Sequence, residues 1–137
     1  MEDEPQPPPV PGPLPLVRNE RDILRLALEV AARCGDPNPE LIEHITGTRE
    51  AVTKTTGSWV YGDEPSYLIA MRGRFSARRR RPPIVKLPEA GNQFVSYPGQ
   101  VLVVEIESGR VTDSGSSPDY PDLASVGPVV IDYQGSA

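Results

Sequence analysis

The chain has 137 residues, a formal net charge of −5, 37% apolar residues, 17 prolines and one cysteine. That length suits a single domain, the acidic balance argues against a general nucleic-acid coat, and a lone cysteine excludes an intramolecular disulfide. No apolar run reaches the ~18 residues of a membrane span, and the start lacks the basic-then-apolar pattern of a signal peptide.

Residues 1–16, MEDEPQPPPVPGPLPL, contain seven prolines. Such composition favours polyproline II and offers no period that buries a face, so a disordered Pro-rich leader is expected over 1–17. It reads as a spacer, with a PxxP ligand as the sharper alternative. One α+β domain is expected over 18–133, followed by a flexible tail at 134–137.

NERDILRLALEVAARCGDP predicts an amphipathic helix near 20–34. Asn19 is placed to cap it, and Glu20 and Asp22 suit its positive end. Ile23, Ala27, Val30 and Cys34 form one stripe, widened by Leu24, Leu28 and Ala31. Gly35 and Pro37 stop it. Leu41, Ile42, Ile45 and Val52 suit a short helix, but the threonines at 46, 48, 53, 55 and 56, with Gly47 among them, favour an extended segment, so a turn at 37–40 and a strand near 42–55 are expected.

PSYLIAMRGRF (65–75) alternates as a strand, with Tyr67, Ile69, Met71 and Phe75 on one side and Leu68, Ala70, Arg72 and Arg74 on the other. A long connection follows at 76–99. GQVLVVEIESGRVTDSG predicts a strand pair, with Leu102, Val104 and Ile106 on one face and a reversal at Ser108-Gly109. After Gly115, Asp122 is placed to cap one helical turn, and PVVIDY adds a short edge strand. The fold class expected is therefore α+β: one amphipathic helix packed on a small antiparallel sheet of three to five strands.

The helix, the 65–75 strand and the hairpin through Val103, Val104, Glu105, Ile106, Glu107, Ser108, Gly109, Arg110 and Val111 together resemble the PepSY-like or cystatin-like arrangement. The whole is also similar to small, often exported domains of GC-rich bacteria. The resemblance covers about residues 20–115. It implies a non-enzymatic binding or inhibitory module, exported or membrane-tethered with its leader removed, or else cytoplasmic. It carries no catalytic residues across.

No constellation of catalytic or cofactor-binding residues emerges. His44, the sole histidine, has only Glu40 and Glu43 beside it in sequence, too few ligand types for a transition-metal site. Cys34 falls on the apolar stripe, where a thiol behaves as a small hydrophobe. Glu105 and Glu107 share a face with nothing apolar around it, and the glycines match no phosphate loop. No enzyme, cofactor or metal is expected.

Two stretches carry binding character. RGRFSARRRRPP brings together Arg72, Arg74, Arg78, Arg79, Arg80 and Arg81 in an acidic chain. They suit an acidic protein or anionic surface, with nucleic acid as the alternative partner and a solvated loop as the plainest reading. GSWVYGDEP places Trp59 and Tyr61 in a turn-rich region, as a recognition surface or as the cover of a core edge.

Overall fold

The computed structural model describes residues 14–57, 60–78, 94–117 and 119–135. The chain runs through helix α1 (Arg21–Arg33), strand β1 (Leu41–Thr48), helix α2 (Arg49–Lys54), strands β2 (Pro65–Arg78), β3 (Phe94–Glu105) and β4 (Val111–Ser117), a 3-10 turn (Leu123–Ser125) and strand β5 (Val130–Gln134). The five strands form one open antiparallel sheet in the order β4-β3-β2-β1-β5. The α+β class and the helix on an antiparallel sheet are thus present. Of the expected leader, residues 1–13 lie outside the described residues, as do 136–137 of the expected tail.

α1 forms where its apolar stripe was legible. Asn19 Oδ1 accepts the Arg21 N–H, a donor that the first turn leaves open, and Asp22 Oδ2 reaches back to accept the N–H of Arg18 ahead of the helix. The helix itself starts at Arg21, with Glu20 rather than Asn19 in the capping position. Ile23, Leu26, Ala27, Val30 and Ala31 are buried against Ile42, Ile69, Met71, Phe75, Leu102 and Val104 of the sheet. Burying the larger of these side chains, the Ile, Leu, Val, Met and Phe, contributes about 1.5–3 kcal/mol each. Ile106, expected on the same pleated face, lies in the turn after β3.

The opposite sheet face is also covered, by Val52 of α2 and Leu123 of the 3-10 turn, packed with Ile45, Leu68, Ala70, Val101 and Val103. This corrects the expected strand at 42–55: β1 ends at Thr48. Thr48 Oγ1 instead accepts the Ala51 N–H as an N-cap. The hydroxyls of Thr53, Thr55 and Thr56 donate to carbonyls three or four residues back, a helical use of a residue type that favours strands.

The domain takes in chain that was expected to flank it. Val17 is buried and donates to the Gly109 carbonyl at 2.9 Å. Gly109 has φ +73°, and a Cβ there would collide with the Val17 carbonyl, so this turn accepts glycine on both counts. At the other end Gln134 closes β5, and Gly135 N–H donates to Glu40 O.

Candidate functional site

Both described ends of the expected connection at 76–99 are sheet: β2 continues to Arg78 and β3 begins at Phe94, with Arg78 opposite Phe94, while residues 79–93 lie outside the described residues. β1 accompanies β2 only as far as Arg72, opposite Leu41, and β4 accompanies β3 only as far as Gly99. Beyond those points β2 and β3 run on as a two-stranded ribbon. The loop after α1 fastens its β2 edge: Ser76 N–H donates to Cys34 O at 2.7 Å, and Arg74 N–H to Asp36 Oδ2 at 2.9 Å. A Cβ on Gly73 would strike that Asp36 carboxylate, so the approach depends on glycine. The register shifts here, between Arg72 and Phe75, and bends the strand.

Arg72 and Arg74 are exposed on this strand, alternating with buried Met71, Gly73 and Phe75. Arg78 belongs to the ribbon through its backbone pairing, whereas Arg79, Arg80 and Arg81 lie outside the described residues. Arg72 stands apart. Its guanidinium carbon is 4.5 Å from the centroid of the Tyr120 ring. Tyr120 in turn donates from Oη to Glu43 Oε1 at 2.7 Å and packs against the second core. Burial and the Glu43 contact push the Tyr120 hydroxyl well above its ordinary range.

His44 is buried on β1, 1% exposed. Its Nδ1–H donates to Asp132 Oδ2 at 2.6 Å, its Nε2 lies 3.6 Å from Glu20 Oε2, and its ring meets Tyr67 edge-on at 5.5 Å. Asp132 reaches it because β5 carries one extra residue between its pairings of Ile131 with Glu43 and of Tyr133 with Ile42. The glutamate adjacent to His44 in sequence, Glu43, points to the opposite sheet face, as strand alternation requires. Among the described residues no group of three or more His, Cys, Asp or Glu is disposed to hold a metal ion.

Elsewhere, Arg49 at the start of α2 places Nε 3.0 Å and Nη2 3.2 Å from the Asp113 carboxylate of β4. That contact holds the Asp113 carboxyl below its usual range. Tyr61 is 76% exposed in the stretch before β2, and Trp59 lies outside the described residues. Tyr120 and Asp132 escaped the reading of the sequence, and Glu43, noted there only beside His44, turns instead to Tyr120. Each meets its partner only through sheet order and the fold-back of 119–123, and no local spacing signals that. No helix among the described residues is long and apolar enough to cross a membrane.

Comparison with known proteins returns nothing similar: no family model matches the chain, and no curated protein or solved structure matches it.

Proposed function

We propose that this protein is a non-enzymatic binding module that engages an acidic protein or other anionic surface through its β2–β3 ribbon. One observation carries the reading: Arg72 stands exposed at the point where β1 stops pairing, and Arg74 just beyond it, at the base of a ribbon that runs past both of its neighbouring strands. A basic patch on an acidic chain steers a complementary partner to one place, because the remaining surface repels it. The likeness of the 103–111 hairpin to PepSY-like and cystatin-like domains supports a binding role, of which inhibition of the partner is the narrower form.

Nucleic acid is the second reading. A two-stranded ribbon is an element that the DNA major groove admits. Against it stand the net charge of −5 and the carboxylates beside the arginines: Asp36, bonded to the Arg74 backbone, and Glu43, bonded to Tyr120.

The test is the salt needed to elute wild type and an Arg72→Ser/Arg74→Ser double variant from immobilised oligo-glutamate and from immobilised duplex DNA. The binding reading expects wild type to be held by oligo-glutamate and the double variant to elute earlier. Equal elution of the two proteins removes the ribbon from the function, and preferential retention on DNA transfers it to the second reading.

A further inference from the structure

We infer that Arg72, stacked on Tyr120, is the anchor of the ribbon surface and receives a carboxylate from an acidic segment of a partner protein. The inference rests on the binding role proposed above and specifies its central contact.

Arg72 is held before any partner arrives. Its guanidinium lies over the Tyr120 ring at 4.5 Å, within the ~6 Å at which a cation is drawn to an aromatic face. The ring cannot easily turn away, since its hydroxyl is bonded to Glu43 and its body packs against the second core. The Arg72 backbone is fixed too, its carbonyl accepting the Glu40 N–H at 2.8 Å. A free arginine loses side-chain freedom when it binds, and one already stacked has lost much of it beforehand.

Stacking uses a face of the guanidinium, whereas its N–H donors lie in the plane and point outward from the edges. The fork that matches a planar carboxylate is therefore not consumed by the ring. No carboxylate among the described residues forms an ion pair with Arg72, although its side chain is exposed. Arg74 differs. It is anchored through its backbone N–H to Asp36, and no ring among the described residues stacks on its side chain.

The surroundings choose the ligand. Asp36 and Glu43 break the positive field around the arginines into a discrete contact. A phosphate backbone draws its affinity from many neutralised charges in a row. One carboxylate of a protein segment needs only the single fork.

The test measures binding of a labelled oligo-glutamate peptide by fluorescence anisotropy. The proteins are wild type, Arg72→Lys, Arg74→Lys, Tyr120→Leu and Tyr120→Phe, with thermal melts confirming that each is folded. Lysine keeps the charge and loses the planar fork, so Arg72→Lys is expected to weaken binding about tenfold and Arg74→Lys about twofold or less. Tyr120→Leu removes the platform and should approach Arg72→Lys. Tyr120→Phe keeps the ring and should stay near wild type, which preserves the test should the leucine variant unfold. If Arg72→Lys binds like wild type, or Arg74→Lys loses as much, the anchor assignment fails. The wider ribbon reading survives that failure so long as the double serine variant still loses retention. Wild-type binding to an oligonucleotide in preference to oligo-glutamate overturns the carboxylate assignment.

Discussion

His44 Nδ1 and Asp132 Oδ2 meet at 2.6 Å although 88 positions separate them in the chain. The contact joins edge strand β5 to the interior of the sheet, where His44 has little access to water. Removing the carboxylate leaves a buried N–H without its acceptor. Asp132→Ala is therefore expected to lower stability by about 1–3 kcal/mol, and Asp132→Asn, which keeps an acceptor, by less. Urea denaturation measures both. A double-mutant cycle with His44→Leu should show that the two losses are not additive; additive losses would mean that the contact does not stabilise the fold.

The covered face of α1 makes an ordered prediction. Leu26 is fully buried while Leu28 is only half-buried at the margin of the same core. Leu26→Ala should cost about 2–5 kcal/mol and Leu28→Ala about 1 kcal/mol or less. Denaturation midpoints check the order, and a reversed order would place the wrong side of the helix on the sheet.

Arg49 predicts behaviour in acid. It holds the Asp113 carboxyl below its ordinary value, so the pair contributes stability above about pH 4, the unfolded range. The contribution is lost as pH falls from there through the lower folded value. Arg49→Met should accordingly be less stable than wild type at neutral pH, with the gap closing in acid. A gap that stays constant down to strong acid would exclude the ionic contact as its source.

Tyr120 predicts the alkaline limb. Its hydroxyl is raised by burial first and by Glu43 second, so its contribution is present below about pH 10 and fades as pH climbs through the folded value. Tyrosinate absorbance should show this ring ionising late among the five tyrosines. Tyr120→Phe should remove that late step; its persistence would assign the step to another ring.

The elements most legible in the sequence were those whose period alone decides their burial. The stripe of α1 and the alternation of Tyr67, Ile69 and Met71 lie where spacing places them, on the two sides of one core. Leu26 escapes the stripe because the stripe was widened toward Leu24 and Leu28, whereas the sheet covers the other margin, where Leu26 lies. The threonines of 48–56 misled because β-branching favours strands, whereas here their hydroxyls cap and back-bond a short helix. The arginine stretch announced itself by composition, and its ribbon did not, since that depends on where β1 and β4 stop pairing. Tyr120 beneath Arg72 was out of reach of any local pattern, because a segment 48 positions on in the sequence supplies the ring.

Binding at the ribbon is tested most directly by following the backbone amide resonances of the nitrogen-labelled protein as oligo-glutamate is added. Shifts concentrated at residues 72–76 and at 119–120 are predicted, with the largest at Arg72 and Tyr120. Shifts that cluster around β5 or α2 and leave Arg72 and Arg74 unmoved would contradict it.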